Sequence, residues 1–170
     1  MSFNIDLKLA EKHRNRLKDF YAIKAFEGRY VFINKLSGEI AEELQNRSVD
    51  TILQISDDKE IYIEEKIVRW PGYEYTAVTL ETESCTVKGY EKDGWMKKLT
   101  SKNHFLAYGF LQEDETIKLY IIPFDKLKSW FWENVDKFKS TVTDQINKTE
   151  CKIVPLEEIK NNVGYKIFYI

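Results

Sequence analysis

The sequence predicts a single mixed α+β domain in which a central mixed β-sheet is flanked by helices. Three observations carry this expectation. Five strand-like segments follow one another between residues 49 and 122, helical segments lie on either side of them, and no linker, repeat or low-complexity tract divides the 170 residues. Only seven Gly and three Pro interrupt the chain. That length is ample for one core. The balance of 43% apolar and 32% charged residues is that of a folded chain rather than a disordered one.

The elements follow in order. Residues 6–26, "DLKLAEKHRNRLKDFYAIKAF", place Leu7, Ala10, Leu17, Phe20, Tyr21 and Phe26 on a helical stripe. Residues 37–46, "SGEIAEELQN", read as a second helix capped by Ser37. Strands are expected at 49–56, 60–68, 74–85, 104–112 and 116–122, and the second alternates cleanly through Ile61, Ile63, Glu65 and Ile67. The links "SDDK", "RWPG", "EKDG" and "QEDE" are short and rich in turn formers. "DGWMKKLTSK" suits a short helix between the third and fourth strands. The strongest helix is 123–138, with Phe124, Leu127, Trp130, Phe131 and Val135 near i, i+3, i+4 spacing. A strand at 151–155, a short helix at 155–162 and a last strand in "GYKIFYI" complete the chain.

Composition narrows the function. The net charge of −2 excludes a global basic field, so a polyanion site has to be a local patch. Cys85 and Cys151 are far apart and read as free thiols in a reducing compartment. With His13 and His104 they offer no zinc-ligand spacing. The first fifteen residues have no apolar signal core and no run approaches a membrane span, so the expectation is a cytoplasmic protein without a membrane partner.

The segment "VDTILQISDDKEIYIEEKIVRW" holds the chemistry. Two strands meet at an acidic turn, and the second carries Glu64, Glu65 and Lys66 among isoleucines. Side chains alternate across a strand, so Glu64 and Lys66 share one face and Glu65 takes the other. A three-residue loop at Asp57–Lys59 sets Asp50 opposite Lys66, and a four-residue loop sets it opposite Glu65. The register decides which glutamate joins Asp50, and both remain open at this level. Two carboxylates can hold Mg²⁺, a hard cation that takes oxygen ligands. A lysine beside them can stabilise charge on a phosphoryl group under attack by water.

Asp50, then thirteen residues, then Glu64-x-Lys66 on the next strand resembles the PD-(D/E)XK nuclease superfamily. "VTLETES", "DGWMKKLTSKNHFLAYGF" and "LYIIPFDKLKSWFWEN" resemble the third strand, Gly-Trp helix, following strands and helix of its phage- and prophage-type branch. The likeness spans residues 40 to 135, and Val49 stands where the nominal motif has proline. The resemblance implies a restriction-endonuclease-like fold and Mg²⁺- or Mn²⁺-dependent hydrolysis of DNA. Asp50 and Glu64 would bind metal, Lys66 would be catalytic, and Glu81 on the third strand would be an additional acid near the metal. Lys97, Lys98, Lys102 and Arg69 are the candidate contacts to nucleic acid. The alternative is a nuclease-fold binding or assembly protein without turnover. The oligomeric state stays open, a homodimer included.

Each of these features also has a plain structural reading. Asp50, Glu64 and Lys66 fit a solvated strand end with a surface ion pair, worth little in energy. Glu81 and Glu83 fit a solvated sheet face, and Glu39, Glu42 and Glu43 an outward helical face. The cations between Lys8 and Lys18 fit an ordinary exposed helix as well as a phosphate-binding one. Trp70, Tyr73 and Tyr75 fit packing as well as base stacking, and Trp95, Trp130, Phe131 and Trp132 read as core.

Overall fold

Alternation and apolar runs decide where each strand can lie. The computed structural model describes residues 13, 16–21, 24, 32–33, 50–56, 59–69, 76–98 and 104–170. The strands, in chain order, are β1 (Phe32–Ile33), β2 (Thr51–Ser56), β3 (Lys59–Arg69), β4 (Ala77–Cys85), β5 (Lys92–Asp93), β6 (Phe105–Leu111), β7 (Ile117–Pro123), β8 (Lys139–Asp144), β9 (Thr149–Pro155) and β10 (Lys166–Tyr169). The helices are α1 (Phe124–Asn134), continued by a 3-10 turn over Val135–Lys137, and α2 (Leu156–Asn162); residues 16–20 are also helical. The helix expected at 37–46 lies outside the described residues.

Among the described residues the strands form two sheets rather than the one expected. A mixed six-stranded sheet has the order β1-β2-β3-β6-β7-β10, and a four-stranded antiparallel sheet the order β5-β4-β9-β8. In the first, β3 and β6 run parallel and all other pairs antiparallel. The segment FLAYGFL of β6 is apolar throughout because it is covered on both faces. Leu106, Tyr108 and Phe110 enter one core with Tyr120 and Ile122 of β7, Val78 and Leu80 of β4, and Phe124, Leu127 and Phe131 of α1. Ala107 enters the other core with Ile61 and Ile63 of β3, Ile117, Leu119 and Ile121 of β7, and Leu17, Phe20 and Tyr21 of the N-terminal helical segment.

The third expected strand is therefore real but leaves the central sheet. β4 pairs with β9 and packs against the mixed sheet through the first core, where Thr79 Oγ1 meets Tyr108 Oη at 3.0 Å. Strand β8 was not foreseen: its sequence, KSTVTD, has no apolar alternation, and pairing with β9 alone makes it a strand. The short helix expected in "DGWMKKLTSK" is instead a β-bridge at Lys92–Asp93 and a turn at 95–97; residues 99–103 lie outside the described ones. Gly94 explains this difference. Its amide donates to Thr82 O at 3.0 Å, that of Met96 to Glu81 O at 3.2 Å, and the chain lies flat on β4 instead of coiling. A Cβ on Gly94 would stand 2.6 Å from Glu81 O and from the Thr82 carbonyl carbon. The turn is held from its other side by Trp132 of α1, whose Nε1 donates to Met96 O at 3.1 Å.

Because the atoms facing Gly94 are main chain and cannot rotate aside, Gly94→Ala is expected to cost about 1–3 kcal/mol. Urea unfolding measures this as a lower midpoint at unchanged slope.

Candidate functional site

The β2–β3 hairpin sets the site. Its pairing, Thr51↔Ile63 through Gln54↔Glu60, shifts by one residue at a bulge before Ser56↔Lys59. Neither register expected from loop length is realised. The last two strand residues before the tip pair directly, and the bulge then absorbs one residue. Carried one residue beyond Thr51, the register brings Asp50 level with Glu64. The Asp50 amide donates to Ile63 O at 3.0 Å, and its Oδ2 accepts the Glu65 amide at 2.8 Å.

Glu64 and Lys66 point to the first core, as their parallel partners Leu106 and Tyr108 do. Glu64 as a residue is half-buried, but its Oε2 is sealed from solvent and has no hydrogen-bond partner among the described residues. Burial holds its carboxyl well above the ordinary carboxylate range, and the Asp50 charge pushes the same way. Lys66 and Lys98 pull it down, and Glu81 adds a smaller upward push. Four charged side chains from four chain segments, Asp50, Lys66, Glu81 and Lys98, thus lie close enough to act on the Glu64 carboxyl.

Glu81 reaches this place because β4 packs across the mixed sheet. A bulge between Glu81 and Glu83 breaks the alternation that would put both on one face. Ser84 Oγ donates to Glu81 Oε1, while Glu83 turns to an ion pair with Lys97. Cys151, opposite Glu81 in the β4–β9 ladder, is buried beside them. Burial pushes its thiol up, so it stays protonated rather than nucleophilic. The sequence reading of Cys85 and Cys151 as free thiols holds, and both are buried.

The nucleic-acid candidates separate. The Lys98 charge acts on the Glu64 carboxyl, and Lys97 is tied to Glu83. Arg69 is exposed, on the alternate face of β3 and about 16 Å along the strand from Glu64 at the usual rise per residue. Lys102, the Glu39–Glu43 patch, Trp70, Tyr73 and Tyr75 lie outside the described residues. In the N-terminal segment, His13 is buried and Arg16 donates to the carbonyls of Glu115 and Ile170, both at 2.7 Å. These two groups serve packing. His104 Nδ1 accepts the Tyr62 amide at 3.0 Å and its ring stacks on Tyr62, a structural use.

Glu65, left open beside Glu64 on sequence grounds, is engaged on the opposite face. Its Oε1 accepts Thr51 Oγ1 at 2.9 Å. Burial raises the Tyr21 phenol well above its ordinary value, and the Glu65 charge pushes the same way.

No family model, curated protein or solved structure matches the chain. Among the described residues, no group of three or more His, Cys, Asp or Glu side chains is placed to hold a metal ion, and no helix is long and apolar enough to cross a membrane. Asp50, level with Glu64, and Glu81, whose charge also acts on Glu64, offer hard oxygen donors. The unpaired buried Oε2 is the kind of atom a small divalent cation satisfies, so the residues fit Mg²⁺ in chemistry.

A carboxyl whose folded pKa is raised stabilises the fold fully below its ordinary value, about 4.3, and loses that stabilisation as pH rises through the folded value. Metal-free protein is therefore expected to lose stability from about pH 5 upward through Glu64. Glu64→Gln should flatten this slope and raise the Tm at pH 8, by about 2–4 °C for each kcal/mol relieved. Thermal melts across pH, in chelator, measure both.

Proposed function

We propose that this chain is a nuclease of restriction-endonuclease-like fold that hydrolyses phosphodiester bonds of DNA with Mg²⁺ or Mn²⁺. The supporting observation is the Glu64 carboxylate, its buried oxygen unpaired, with Asp50 and Glu81 on its acidic side and Lys66 and Lys98 on its cationic side. A fold gains nothing from such a buried charge, and an apolar residue there would cost less. Clusters of this kind mark sites of function.

Asp50 and Glu64 would hold the cation, with Glu81 assisting from β4. When bound, the cation polarises a phosphoryl oxygen and lowers the pKa of water. Lys66, on the same face of β3 as Glu64, stabilises the negative charge that gathers on the phosphoryl oxygens as water attacks and the ester oxygen departs. Lys98 supplies a second positive charge for the same phosphate. Arg69, exposed at the end of β3 on its other face, would meet phosphates away from the cleaved bond, a contact that adds affinity without reading sequence.

A second reading, a nuclease-fold binding protein without turnover, is favoured by one observation: no three-carboxylate group among the described residues is gathered for a metal. Divalent-metal linkage separates the two. A competent site raises the Tm with Mn²⁺, as any ligand of the native state does.

Asp50→Ala and Lys66→Ala are expected to lower Mg²⁺-dependent cleavage of duplex and single-stranded DNA by at least about 10²-fold, with circular dichroism unchanged. Mn²⁺ should raise the Tm of the parent protein but not of Asp50→Ala. Full cleavage by both variants would remove the case for this site.

A further inference from the structure

The grip of Glu65 on the end of β2 is unexplained by packing. Its neighbours on that face of β3, Ile61 and Ile63, lie in the second core, with Ile67 packed against it. A half-buried carboxylate in such company is desolvated at a cost that an isoleucine or methionine would avoid. The residue nevertheless binds two consecutive positions of the neighbouring strand. Its main-chain amide donates to Asp50 Oδ2 at 2.8 Å, and its Oε1 accepts Thr51 Oγ1 at 2.9 Å.

These two contacts act where the hairpin is least determined by its turn. The bulge between Gln54 and Ser56 uncouples the tip from the rest of the ladder, so loop length does not set the level of Asp50. A slip of β2 by one residue would break both contacts at once. It would also carry Asp50 away from the level of Glu64. Tyr21 of the N-terminal helical segment is buried in the second core, toward which Glu65 points.

We propose that Glu65 is a positioning residue: with Thr51 it holds Asp50 at the height where its carboxylate and that of Glu64 share one divalent cation. The proposal rests on the metal-site reading above. Glu65 touches neither substrate nor cation and acts through Asp50, in the way outer groups set the orientation of metal ligands.

The test is Mn²⁺ binding by isothermal titration calorimetry, with the metal-free Tm measured beside it. Glu65→Met removes the side-chain half of the grip, the Thr51 contact, together with the half-buried charge, and leaves the main-chain amide on Asp50. It is expected to fold with a metal-free Tm no lower than the parent's, yet to raise the Mn²⁺ dissociation constant about ten-fold or more. Glu65→Gln keeps the acceptor oxygen and should stay within about two-fold of the parent. Thr51→Val should repeat the loss and Thr51→Ser restore binding, which decides the matter should Glu65→Met not fold. Parent-like Mn²⁺ affinity in both Glu65→Met and Thr51→Val, with binding abolished in Asp50→Ala, overturns the positioning role and leaves the site standing. Parent-like affinity in Asp50→Ala overturns the site, and the positioning role falls with it.

Discussion

Strand β3 is wedged between two hydrophobic cores, and three consecutive ionisable residues sit in its middle. The rest of the structure depends on how that charge is handled. One core takes Leu106, Tyr108 and Phe110 of the parallel neighbour, and the other takes Ile61 and Ile63 of β3 itself. Alternation sends Glu64 and Lys66 toward the first and Glu65 toward the second. Neither face offers water freely, so each charge needs a partner or raises the energy of the fold. Glu65 meets the Thr51 hydroxyl, Glu64 feels two lysines and two further acids, and Oε2 of Glu64 is left without a hydrogen bond among the described residues.

The second sheet turns this local problem into a site. Had β4 stayed beside the hairpin in the central sheet, Glu81 would stand in a row of strand residues rather than across from Glu64. Pairing with β9 moves β4 onto the face of the mixed sheet, and the contact of Thr79 with Tyr108 seats it there. The Gly94–Met96 turn lies on β4 at the bulged stretch that aims Glu81 and turns Glu83 away. Lys97 and Lys98, adjacent in sequence, serve different partners: Lys97 closes an ion pair with Glu83, and the Lys98 charge acts on Glu64. Packing and function use the same few residues, since Trp95 and Met96 anchor the first core while the next two positions carry the charge.

This arrangement has a thermodynamic character of its own. A carboxyl pushed up by burial prefers its neutral form, and the fold is weakened whenever solution conditions force it to ionise. A ligand that needs the ionised form recovers that cost on binding, so stability and occupancy become coupled. The same logic separates Glu64 from Glu65. Two carboxylates adjacent in sequence take different roles because one is left incompletely satisfied and the other is hydrogen-bonded.

Much of this was legible in the chain. Period-two alternation over 60–68 and the apolar runs of 104–112 and 116–122 located three strands of the mixed sheet, and the spacing of Phe124, Leu127 and Phe131 located α1. Three charges among isoleucines marked β3 as the element to watch, and the ladder brings Asp50 level with Glu64. These features are local, written in the periodicity of side chains along one segment. What only the tertiary structure decided is non-local. The bulge at Gln54–Ser56 sets the level of Asp50, the β4–β9 ladder takes the third strand out of the central sheet, and β8, polar throughout, is a strand only because β9 lies beside it. Backbone hydrogen bonds between distant segments carry no mark in either segment alone, because every residue but proline offers the same donor and acceptor.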